Sequence, residues 1–147
     1  MITTSSKVSD GPLTMPTASR KGSFLQTVFT GDVLIVEDNF IIAMDVEELA
    51  KELGATHVHL ATNCDDALAV IDKTVVSAAI LDFNIGDETS DGVADALSAK
   101  DIPFVFATGY SDSSMLPARY QTAVLLKKPY SREDIIAAFQ GPSLTPG

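Results

Sequence analysis

Apolar residues in this chain come in short blocks separated by longer mixed stretches. Val33-Leu34-Ile35-Val36, His57–Ala61, Ala78-Ala79-Ile80-Leu81, Phe104–Ala107 and Val124–Leu126 are rich in branched, aromatic or small apolar residues. Runs of this length read as strands buried on both faces. The stretches between them carry a helical period. Ile41, Met44, Asp45, Glu48, Leu49 and Leu53 recur at helical spacing over Phe40–Leu53, and Gly54 closes that helix. Ala67, Leu68 and Ile71 share one face of Cys64–Lys73, with Thr62 or Asn63 as the cap. Val93, Ala94 and Leu97 point inward from Asp91–Lys100. Ser131 opens a last helix, with Asp134 three residues on as the acid of a capping box and Ile135, Ile136 and Phe139 inside. Ser113–Tyr120 has no clear type, and Pro117 argues against a long helix there.

Strands alternating with helices predict an α/β fold: a doubly wound parallel sheet of five strands, helices on both faces, right-handed crossovers. The flavodoxin-like order 2-1-3-4-5 sets the first and third strands side by side, with the switch point between them. Composition bounds the domain. Residues 1–30 are rich in Ser, Thr, Gly and Pro and read as a flexible tail, with some order expected near Phe24-Leu25 and Val28-Phe29. Residues 31–140 form the folded domain, and 141–147 read as a disordered tail. The 147 residues are 46% hydrophobic and 20% charged, enough for one cored domain. A net charge of −10 argues against nucleic acid or an anionic membrane as partner. Cys64 is alone, which excludes an internal disulfide and a cysteine-based zinc site. No run is long enough to span a bilayer, and the start of the chain lacks the pattern of a secretory signal, so a cytoplasmic location is expected.

Chemistry gathers where the strands end. The first stops at Glu37-Asp38, the third at Asp82, the fourth at Thr108-Gly109 and the fifth at Lys127-Lys128-Pro129. In an open parallel sheet these ends share one crevice. Glu37, Asp38 and Asp82 would repel one another there; two unit charges at ~4 Å in an intermediate dielectric cost on the order of 4 kcal/mol. A small hard cation, Mg²⁺ or Mn²⁺, relieves the repulsion, with the backbone carbonyl of Asn84 as a neutral ligand. Asp82 is then a candidate nucleophile towards phosphorus. Lys128 and the Thr108 hydroxyl would neutralise transferring oxygens, and Gly109 leaves room for a donor. Pro129 would fix the loop that carries Lys128, with a cis peptide bond as one way to do so.

Glu37-Asp38, Asp82, Thr108 and Lys128-Pro129 resemble the acid pair, phosphoacceptor, switch hydroxyl and lysine of the receiver domains of bacterial two-component response regulators. The resemblance covers about Asp32 to Phe139. Pro103–Tyr110, together with Lys128-Pro129-Tyr130, further resembles the "FAT GUY" group of single-domain receivers. It implies transfer of a phosphoryl group onto Asp82 from a histidine kinase or histidine phosphotransfer protein, then slow hydrolysis. Nothing like an output domain follows Phe139, so the resemblance implies an unidentified output protein or phosphate flow. Three departures from the common pattern bear on transmission. Leu125 stands where many receivers carry an aromatic switch residue, with Tyr110 as a substitute. Ile85-Gly86 replaces a frequent Met-Pro, in a slightly long acidic loop, and the element after Thr108 is short.

Plainer readings compete with these. Glu37 and Asp38 suit the start of a helix, where negative charge is favoured. Lys127 reads as solvated, as do Asp45, Glu47 and Glu48 on an exposed helix face and Asp87, Glu88 and Asp91 in their loop. His57 and His59 share a strand face at a metal-binding spacing, but no third ligand is evident in the sequence. Cys64, near a helix start, is placed for a lowered thiol pKa. Two other functions use similar residues. A haloacid-dehalogenase-type phosphohydrolase needs a second aspartate two residues beyond its nucleophile, where this chain has Asn84, and places that nucleophile on the first strand. A degenerate receiver would bind partners without phosphorylation, yet every required side chain is present.

Overall fold

The structure is a computed structural model, and it describes residues 27–109 and 115–140. Most of both sequence-predicted tails, and Tyr110, lie outside the described residues. The elements are β1 (Asp32–Val36), α1 (Phe40–Glu52), β2 (His57–Ala61), α2 (Cys64–Lys73), β3 (Val76–Asp82), β4 (Asn84–Ile85), β5 (Glu88–Thr89), α3 (Asp91–Ala99), β6 (Phe104–Thr108), β7 (Leu125–Lys127) and α4 (Arg132–Gln140), with a 3-10 turn at Ala118–Tyr120. The main sheet runs β2-β1-β3-β6-β7, all parallel. This is the flavodoxin-like order expected from the sequence, with β6 and β7 as the fourth and fifth long strands.

Alternation along each strand divides the core in two. Leu34, Val36, Leu81 and Phe106 face α2 and α3, where they meet Ala67, Ile71, Val93 and Leu97. Val33, Ile35, Ile80 and Val105 face the other way, onto Val46, Ala50 and Leu53 of α1 and Ile135 of α4. Each fully buried aliphatic side chain contributes roughly 1.5–3 kcal/mol, so the doubly covered sheet is the main source of stability.

Of the residues that carry the helical period of α1, Ile41 and Met44 are 73% and 50% exposed, while Leu53 is buried. The inner stripe of α1 itself is Ala43, Val46 and Ala50. It uses small side chains that let the helix approach the sheet closely.

Helix ends follow local chemistry. Asn39 caps α1, its side chain accepting from Ile41 and Ile42 N–H, and Asn63 caps α2 through Asp66 N–H. Ser131 and Asp134 form the reciprocal capping box. At the end of α1, Gly54 has φ +109°, and Ala55 N–H reaches Ala50 C=O at 3.0 Å while Gly54 N–H reaches Lys51 C=O at 3.1 Å. This is a Schellman closure. Val28 and Phe29, within the stretch that composition assigns to the tail, dock on it: both their N–H groups donate to Leu53 C=O, and Phe29 is 2% exposed.

Among the described residues after β6, Pro117 leads into the 3-10 turn rather than an α-helix. Tyr120 packs its ring on Phe104 and Phe106, with centroids 5.7 and 5.4 Å away. Its hydroxyl donates to Asp95 Oδ1 at 2.6 Å, and Arg119 grips the same carboxylate with Nε at 2.9 Å and Nη2 at 2.8 Å.

Candidate functional site

β1 ends at Val36 because the next three residues, Glu37-Asp38-Asn39, are polar and the third caps α1. This puts two carboxylates at the C-terminal edge of the sheet. β3, the neighbour of β1, ends in Asp82 at the same edge. Ligand oxygens of Glu37, Asp38 and Asp82 all lie within 4.8 Å of one another. Glu37 and Asp82 are buried; Asp38 is exposed.

Lys128 comes from the loop after β7, which joins β6 through register pairs ending at Thr108 and Lys127. Its backbone N–H donates to Thr108 C=O at 2.8 Å, and its peptide bond to Pro129 is cis. The ammonium bridges the two buried acids, with Nζ 2.7 Å from Glu37 Oε1 and 2.9 Å from Asp82 Oδ2. Lys127 is exposed, as the sequence predicted.

The crevice thus holds three carboxylates against one ammonium. Burial, reinforced by Glu37 and opposed by Lys128, pushes the Asp82 carboxyl up to about 6. Burial pulls the Lys128 ammonium down, but its hydrogen bonds to Glu37 and Asp82 outweigh that and raise it overall. Burial, with the charges of Glu37 and Asp82, also raises the Tyr130 phenol. The uncompensated negative charge and the all-oxygen donor set fit a hard divalent cation such as Mg²⁺.

Other predicted residues take up more peripheral places. Thr108 is 1% exposed, and its hydroxyl donates towards Met115 Sδ at 3.7 Å. Among the described residues, a Cβ built on Gly109 would meet nothing within 4 Å. Asn84, two residues past Asp82, opens β4 and pairs with Thr89.

The sequence reading missed what the acidic loop does. β4 and β5 form a small antiparallel hairpin. At its turn, Gly86, with φ +60°, donates its N–H to Asp38 Oδ2 at 2.8 Å. The signal was the Gly86-Asp87 dipeptide, a two-residue hairpin turn. Asp87 and Glu88 are exposed as expected, whereas Asp91 also meets Arg119 at 3.5 Å. The expectation for Cys64 is corrected: burial first, then a hydrogen bond to Glu88, pushes its thiol up to about 11. The charges of Glu88, Asp65 and Asp91 act in the same direction as burial. His57 and His59 do have a third polar neighbour, Asp32.

Residues 33–140 match the family described as response regulator receiver domain. The phyllosphere-induced regulator PhyR of Methylorubrum extorquens is 30% identical over 109 residues, which are 72% of this chain and 41% of that protein. This chain therefore spans less than half the length of that relative. Among solved structures, SdrG from Sphingomonas melonis Fr1 is 42% identical with a TM-score of 0.66, over 74% of this chain and 92% of SdrG. The anti-anti-sigma factor PhyR from Bartonella quintana is 27% identical with a TM-score of 0.66, over 75% of this chain and 46% of that one.

Proposed function

The chain belongs to the response regulator receiver domains of two-component signalling, and from that premise we propose that Asp82 accepts a phosphoryl group from the phosphohistidine of a histidine kinase or phosphotransfer protein. Receiver domains are signalling modules rather than metabolic enzymes, and they bind Mg²⁺ through acidic residues. Glu37, Asp38 and Asp82, with the Asn84 carbonyl, would hold the ion. When bound, it supplies charge neutralisation for an oxygen of the transferring group.

The chain's own residues do the rest. An Asp82 carboxylate oxygen attacks phosphorus, and the bond from phosphorus to the donor imidazole nitrogen breaks. The bonding pair stays on that nitrogen, which takes up a proton. Lys128 leaves its bridge to pair with a phosphoryl oxygen, and Thr108 turns its hydroxyl from Met115 to another. Gly109 keeps the approach open. The single observation that carries this reading is the Lys128 ammonium shared between Glu37 and Asp82 at 2.7 and 2.9 Å. It is a preformed cationic cradle beside the proposed nucleophile. Output then passes through phosphorylation-dependent protein binding or phosphate flow. The name of the Bartonella relative, an anti-anti-sigma factor, is in keeping with a protein as output partner.

The test is incubation with a small-molecule phosphoramidate and Mg²⁺, followed by intact mass. One hydroxylamine-labile phosphoryl adduct is expected, absent after Asp82→Asn and absent with EDTA. Equal labelling of the Asp82→Asn protein would reject the assignment.

A further inference from the structure

The N-terminal end of the sheet carries a second cluster, which phosphoryl transfer does not use. Asp32 opens β1 and is the register partner of His57 on the edge strand β2. His59 follows His57 by two residues, so both imidazoles leave the same face. They converge on one carboxylate. His57 Nδ1 lies 3.3 Å from Asp32 Oδ1, and His59 Nε2 lies 2.9 Å from Asp32 Oδ2. These are the two histidines of the whole chain. The hydrogen bond from His59, the foremost cause, holds the Asp32 carboxyl below its usual range, so the carboxylate is ionised at neutral pH.

We propose that Asp32, His57 and His59 bind a first-row transition-metal ion, with Zn²⁺ as its representative, water completing the coordination. The donor set decides the class of ion. Imidazole suits zinc, copper and nickel, whereas Mg²⁺ prefers carboxylate, carbonyl and water oxygens. Ligand atoms ~2.0–2.2 Å from a tetrahedral zinc lie roughly 3.3 Å from each other. The two imidazole-to-carboxylate separations, 2.9 and 3.3 Å, run to different oxygens of Asp32, so that carboxylate would hold the ion with both. The three side chains do not lie as close together as those of the acidic crevice, and they would close on the ion by rotation of His57, whose side chain is 71% exposed. Asp32 and His59 are held more firmly, at 23% and 30% exposure, by the paired strands beneath them. An edge strand also leaves the ion an open path from solvent. Asp32 and Glu37 are five residues apart along β1, about 16 Å at the rise of a strand, so the two cation sites are separate.

The test is a titration of the ¹⁵N-labelled full-length protein with ZnCl₂ in excess Mg²⁺, following the ring signals of the two histidines. Both rings should shift together and saturate at one equivalent. His57→Gln, His59→Gln and Asp32→Asn should each weaken binding by roughly tenfold or more, with backbone spectra that report an intact fold. Phosphorylation of Asp82 should be unchanged in all three. Rings that shift independently, saturation beyond one equivalent, or unweakened binding by Asp32→Asn would overturn the proposal. So would displacement of the zinc by added Mg²⁺, which would place the ion in the acidic crevice.

Discussion

At Asp82, burial and the Lys128 bridge pull in opposite directions, and their balance has a pH signature. The folded carboxyl titrates near 6 against an ordinary value of 3.8. A raised folded pKa means that the native state holds this proton more tightly than the unfolded chain. Its contribution to stability is therefore complete below about 3.8 and is lost as pH rises through 6. In EDTA, the wild-type protein should lose stability relative to Asp82→Asn between pH 4 and pH 7, measured by urea denaturation at each pH. Parallel curves for the two proteins would contradict this reading of Asp82. The residues of this crevice were legible in the sequence because each stands at the end of an apolar run, where the chain must leave the sheet. What was not legible is which acid the lysine chooses. Lys128 lies 91 residues from Glu37, and its bridging of both buried acids depends on side-chain packing that spacing does not encode.

At the scale of elements, helix caps were readable because their chemistry is confined to four or five residues. Ser131 with Asp134 and Gly54 after Leu53 carry their own instructions. Ser131→Ala should cost about 1 kcal/mol, seen as a lower urea midpoint with an unchanged slope. Gly54 does more than end a helix. A Cβ there would sit 2.5 Å from Phe29 C=O and 2.9 Å from Thr27 Cγ2, at a φ of +109°. Gly54→Ala should cost ~1–3 kcal/mol from backbone strain alone and should loosen Phe29 as well. Hydrogen exchange at the Val28 and Phe29 amides, both bonded to Leu53 C=O, would rise together. If only global stability fell, with these amides unaffected, the coupling would be refuted. The hairpin of β4 and β5 was less legible, since strands of two residues carry no alternation to read. The helical period of α1 was legible, but its inner face was not, because small Ala43 and Ala50 face the sheet while the larger Ile41 and Met44 are exposed.

At the scale of the molecule, strand order and the two-sided core followed from the alternation of elements, and no helix among the described residues is long and apolar enough to cross a membrane. The contact of Asp32 with His59 was hidden, because it needs the register of two strands that brings together residues 27 apart in the chain. The proposed cation in the acidic crevice binds the folded state alone, so it should stabilise the whole domain. At ten times its Kd, Mg²⁺ should add about 1.4 kcal/mol. That is a rise of roughly 6 °C in Tm for a domain of this size. Calorimetry of wild type and of Asp38→Asn would check it, the variant losing most of the increment. The grip of Arg119 and Tyr120 on Asp95 has a mechanical consequence. With one ring wedged among Phe104 and Phe106 and two side chains tethered to α3, the turn at 118–120 is a fixed abutment. The reorientation of Thr108 proposed above would leave this turn and its hold on α3 in place.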